Sequence, residues 1–131
     1  MKLHIVLLWV CRITAAAIML QTLFFKFTAS DESVYIFTRM GIEPWGRIGT
    51  GVAELVASLL ILIPSVSVYG AIIALGIMAG ALASHILVLG IEVQGDGGQL
   101  FIYAMLVFAA AAYIIFASRR ALYTQLKAVW H

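Results

Sequence analysis

Charge is scarce in this chain: Asp, Glu, Lys and Arg make up 11% of its 131 residues, against 64% hydrophobic residues and a mean hydropathy of +1.09. A soluble domain of this length stays dispersed through a charged surface, which this composition cannot supply, so the chain is read as a membrane protein. There is one cysteine, Cys11, inside an apolar run. That excludes an intrachain disulfide, a CxxC redox pair and a Cys-rich metal site. The formal net charge is only +2, and the Lys and Arg residues form no basic stripe, so no nucleic-acid partner is expected. Also missing are a haem-type His pair, a flavin or nucleotide glycine motif and a metal-ligand cluster beyond an unconvincing Glu54, His85, Asp96 set. No metal and no intrinsic cofactor are therefore expected.

What the chain has in quantity is long apolar runs. A hydrocarbon core about 30 Å thick takes ~20 helical residues. Four runs of that order are bounded by charges or turn residues: 3–27, 45–63, 66–91 and 98–117. The expected fold is all-α, a single integral domain over 1–131 built as a polytopic four-helix membrane bundle. Pro64 closes the second span, and "PSVSVYG" is so short a turn that spans two and three must form an antiparallel hairpin. The N-terminus, with Lys2, an apolar run and "AAA", has features of a signal peptide. Arg12 interrupts that run, however, and the apolar stretch continues well past the alanines, so a retained first span is the better reading. Within the first connection, "SDESVYIFTRMG" has a capping Ser30, acidic residues in the first turn and a Gly41 stop, which predicts a short amphipathic helix over 31–40. It either lies on the membrane surface or folds back over the bundle. Lys2 before span one and "RRALYTQLK" after span four place both termini in the cytoplasm, and the Lys- and Arg-free "EVQGDGG" faces outward.

Few charges interrupt the spans, and depth arithmetic sorts them into two layers. Arg12 falls about 10 Å inside the cytoplasmic boundary, and Glu54, on a span running the other way, falls about 15 Å below the outer one. An Arg12 to Glu54 ion pair is expected, either as a structural latch between two helices or as part of a proton or ligand path; snorkelling of Arg12 to the interface is the remaining alternative. The outer layer gathers Gln21 and Lys26 from span one, His85 from span three, and Gln99 with Tyr103 one turn later from span four. Taken singly, Lys26 reads as a helix-end lysine and His85 as an interfacial histidine. Their convergence predicts a ligand-binding cluster of Gln21, Lys26, His85, Gln99 and Tyr103, or a purely structural polar cluster. Gly76, Gly80 and Ser84 form a small-residue stripe on span three, expected to pack against another helix of the chain, with a homodimer seam as the alternative.

The lysine of "FFKF", then "MGIEPWGRIGTGVAELVASLLILIP", then "GIMAGALASHILVLG" resembles the DoxX and DoxX-like family of small bacterial four-helix membrane proteins. The resemblance covers about residues 5–115. It implies a bundle in a bacterial inner membrane and, by way of some family members, a link to quinone-dependent oxidoreductases and a partner redox subunit. Two functions stay open at this stage. One is a redox-linked membrane component that binds a quinone or similar amphiphile in an outer-leaflet pocket. The other is a non-catalytic scaffold, partner subunit or small transporter-like bundle.

Overall fold

The computed structural model describes residues 2–120 and 127. It is built from five α-helices: α1 (Lys2–Phe27), α2 (Asp31–Arg39), α3 (Trp45–Leu62), α4 (Ser67–Ser84) and α5 (Gln99–Ala117). A single 3-10 turn, Pro64–Val66, joins α3 to α4, and a π-helical turn, His85–Leu89, continues α4. Among the described residues, four segments are long and apolar enough to cross a membrane: Leu3–Phe27, Trp45–Leu62, Pro64–Leu89 and Gln99–Ala117. The chain is thus a multi-pass membrane protein of the all-α, four-span type. Of the stretch "RRALYTQLK", residues 121–126 lie outside the described residues.

The four long helices form a closed ring in which α1 packs on α3 and α5, α3 on α4, and α4 on α5. Small buried residues on each helix make this close approach feasible: Ala15 on α1, Ala57 on α3, Ala71 and Ala74 on α4, and Ala111 on α5 are all fully buried, with Met19, Ile61 and Ile114 filling the space between them. Large apolar side chains such as Phe24, Leu59, Leu87 and Ile102 point outward, as lipid-facing surface requires. The α3–α4 hairpin closes most tightly at Gly70, where an added Cβ would meet the Ala57 carbonyl oxygen at 2.6 Å and the Ile61 nitrogen at 2.7 Å.

Gly76 and Gly80 do not take part in this packing, which corrects the expectation drawn from the small-residue stripe. Both are exposed, and a Cβ on either would meet nothing within 4 Å. The reason is helical phase. Ala74 and Met78 carry the buried face of α4. Gly76 and Gly80 each follow one of them by two residues, a turn of about 200° that carries them to the far side.

α2 forms where the sequence signals it. The Ser30 side chain accepts a hydrogen bond from the Ser33 backbone N–H, Asp31 and Glu32 sit in the positively polarised first turn, and Gly41 takes a left-handed φ of +76° after the last turn. The helix folds back over the bundle rather than lying apart from it, with contacts to α1, α3 and the π-turn. Its Arg39 donates to the Val88 carbonyl at 3.3 Å.

Candidate functional site

At the α2 end of the bundle, the last turn of α1 brings Lys26 to α3. Its Nζ lies 2.7 Å from Glu54 Oε1, with the Glu54 side chain 1% exposed and that of Lys26 18% exposed. The Thr22 hydroxyl, one turn earlier on α1, lies 3.0 Å from the other carboxylate oxygen and 3.1 Å from the Met19 carbonyl. A buried carboxylate is tolerable only when paired and hydrogen-bonded, and these two partners supply both conditions. Nearby, buried Arg47 donates through Nε to both Glu43 oxygens, at 2.8 and 3.1 Å, and through Nη1 to the Lys26 carbonyl. A guanidinium thus caps the negative end of the α1 dipole just where the Lys26 side chain emerges.

The Arg12 to Glu54 pair expected from depth arithmetic does not form; Glu54 is held by Lys26 instead. The error lies in helix stagger. A methyl group on Gly51 would come within 2.6 Å of the Phe27 ring, so the first turns of α3 overhang the end of α1, and Glu54 comes level with Thr22 and Lys26. Arg12 is separated from that level by about 15 Å of helix. It is buried at the opposite end, where its Nε donates to Ser67 Oγ at 3.1 Å and its guanidinium carbon lies 4.9 Å from the centre of the Trp9 ring.

His85 opens the π-turn. The Gly90 N–H bonds back to the His85 carbonyl across five residues, and Gly90 at φ +82° ends the run. His85 itself is still in α-helical phase: it follows buried Met78 by seven residues, two turns, and so stays on the inner face of α4 at 5% exposure. Its ring stands edge-on to Phe101, with centroids 5.6 Å apart, and Nδ1 lies 2.9 Å from the Gly90 carbonyl oxygen. A carbonyl can only accept, so Nδ1 carries the proton of that bond. On α5, Gln99 Nε2 donates to the Tyr103 hydroxyl at 2.9 Å.

These groups border one cavity of about 560 Å³, and all five residues singled out from the sequence, Gln21, Lys26, His85, Gln99 and Tyr103, line it. Its floor is apolar, with Ile18, Ile77, Met78 and Ala104; its roof is α2, through Glu32, Ser33, Ile36 and Phe37. Three lining residues are themselves exposed: Gln21 and Phe25 on α1, and Gln99 on α5. The cavity therefore opens sideways, at the α2 end of the α1–α5 seam.

Among the polar lining groups, Thr22, Glu32, Ser33 and Thr50 were not placed at a site from the sequence, and Glu54 was assigned to Arg12. Spacing carried a signal for Thr22, one turn before Lys26 and so on the same face of α1. Ser33 gave none, because its position in a capped first turn already accounted for it. Burial raises the Glu32 carboxyl above its ordinary range, and the nearby charge of Asp96 adds to this. Asp96 goes the other way. Burial would push it up, but bonds from the Val93, Gly98 and Leu100 amides, together with nearby His85, outweigh that and hold it below the usual range. Those bonds fasten the loop that leads into α5, and with it Gln99.

Among the described residues, no three His, Cys, Asp or Glu side chains group so as to hold a metal ion. What the site offers is hydrogen bonding at the end of an apolar chamber with a lateral mouth. Compared with protein-family models, curated proteins and solved structures, the chain matches none.

Proposed function

We propose that the chain is a redox-linked membrane component whose cavity binds a quinone or a closely similar amphiphile, in keeping with its resemblance to the DoxX family. In this reading it sits in a bacterial inner membrane with both termini cytoplasmic and the α2 end outermost. The observation that carries the proposal is the cavity itself. Polar groups from α1, α3, α5 and the π-turn meet above an apolar floor, and the exposed Gln21, Phe25 and Gln99 mark a lateral mouth. Its volume falls in the range of small-molecule sites, which are mostly apolar with a few convergent polar groups.

A quinone presents two ring carbonyls and an apolar tail. The carbonyls meet the hydroxyl of Tyr103 and the ammonium of Lys26, and the tail leaves between Phe25 and Gln99 into lipid. Electrons come from a partner redox subunit, and the chain's own part is to bind and orient the ring. Tyr103→Phe removes one hydroxyl and, with it, the acceptor of the exposed Gln99 amide. Titrating a short-tailed ubiquinone analogue in detergent should raise the melting temperature of the wild type in a concentration-dependent way and that of Tyr103→Phe less at each concentration. No shift in the wild type removes the quinone reading and leaves the bundle as a scaffold or partner-binding subunit.

A further inference from the structure

We propose that Ser33 is a ligand-binding residue of this cavity, and that the head it recognises is a neutral hydrogen-bond acceptor, a carbonyl oxygen. The proposal rests on the cavity being a ligand site and deepens that reading. Ser33 is 6% exposed, it lines the cavity from the roof, and its hydroxyl has no hydrogen-bond partner. A buried hydroxyl with no partner is unfavourable and rare, and in a chamber wall it calls for a group supplied by whatever fills the chamber.

The other polar groups say which kind of group that is. Glu54 Oε1 lies 2.7 Å from the Lys26 ammonium and Oε2 faces the Thr22 hydroxyl, so the one carboxylate buried in the wall is already balanced by a cation of the chain. The donors are not so matched. Tyr103 receives a bond from Gln99 and keeps its own hydroxyl proton to give. Lys26 has three ammonium hydrogens, of which Glu54 takes one. With Ser33, three donors from α1, α2 and α5 are left to serve one occupant. An anionic head is opposed by Glu32, which shares the roof with Ser33 and has the charge of Asp96 near it. A neutral carbonyl satisfies the donors without meeting that repulsion.

The test compares three probes, a short-tailed ubiquinone analogue, a long-chain methyl ketone and the alkane of equal length, on wild type, Ser33→Ala and Thr38→Ala. Thr38 is an exposed residue of the same helix and does not line the cavity. Because the Ser33 hydroxyl is unpartnered without ligand, Ser33→Ala should leave the ligand-free melting temperature unchanged or raise it. The same substitution should weaken quinone and ketone binding about threefold to tenfold, the worth of one neutral hydrogen bond, and leave the alkane unaffected. Thr38→Ala should match the wild type throughout. Ketone binding that depends on Ser33, without quinone binding, upholds this inference and removes the quinone reading. Quinone binding that Ser33→Ala leaves unchanged does the reverse. If neither carbonyl probe binds better than the alkane, or if Ser33→Ala lowers the ligand-free melting temperature and leaves affinities as they were, the inference is overturned.

Discussion

Lys26→Met and Glu54→Gln remove the two halves of one ion pair, yet they should differ in cost, because the partners differ in where they can go. Lys26 lies in the last turn of α1 and is 18% exposed, so without Glu54 its flexible stem can carry the ammonium out to water or headgroups. Glu54 is 1% exposed in mid-α3 and has no such route. Lys26→Met therefore strands a buried carboxylate with Thr22 as its one remaining partner, at a cost of about 3–5 kcal/mol. Glu54→Gln loses a charged hydrogen bond and keeps a polar group for Thr22, at about 1–2 kcal/mol. Replacing both, with Lys26→Met and Glu54→Leu, removes the charge altogether and should fall within about 1 kcal/mol of wild type. Reversible unfolding by SDS in mixed micelles measures all of these variants. Arg12→Leu combined with Glu54→Leu should be additive, since those residues share no partner. Equal losses from Lys26→Met and Glu54→Gln with an additive double, or coupling between Arg12 and Glu54, would refute the assignment of the pair.

The same assay reads the helix packing. Gly70→Ala drives a Cβ into the α3 backbone and should cost about 1–3 kcal/mol, whereas Gly76→Ala and Gly80→Ala should be neutral or stabilise by up to about 1 kcal/mol. Ser67→Ala takes from buried Arg12 its hydrogen-bonded hydroxyl and should cost about 1–3 kcal/mol, with Arg12→Lys, which cannot reproduce the Nε contact and the Trp9 stacking together, comparable or worse. Asp96 has a folded pKa below its unfolded one, so its contribution is complete above the ordinary carboxylate range and is lost as pH falls through that range to the lower folded value. Hydrogen exchange at the Gly98 and Leu100 amides should accordingly lose protection at acid pH in the wild type, and Asp96→Asn should show weak protection at every pH.

Hydropathy and local signals carried the architecture: the four spans and the helix after Ser30 begin and end within a few residues of their expected limits, because run length, caps and the two prolines are local properties. The extended third span differed most. The π-turn at His85–Leu89 depends on how the chain meets α5 and Gly90, and no local pattern marks it. The level at which Lys26, His85, Gln99 and Tyr103 meet was legible because all four lie near span ends, where counting errors are small. Glu54 lies in mid-span, and its partner depends on how far α3 overhangs α1, a quantity set by the Gly51–Phe27 contact and absent from any single helix. Gly76 and Gly80 announced that something can come close, and only the phase of Ala74 and Met78 says on which side.

In the proposed function an amphiphile enters between α1 and α5 and lodges its head beneath α2. A short-tailed quinone carrying a diazirine on the first tail carbon, irradiated with the protein in lipid nanodiscs and mapped by peptide mass spectrometry, tests it most directly. Crosslinks are expected at residues 21–25 and 99–103, competed away by unlabelled quinone. Crosslinks spread evenly over the lipid-facing residues, or concentrated in the groove of Gly49, Gly76 and Gly80 on the other side of the bundle, would contradict the proposed function.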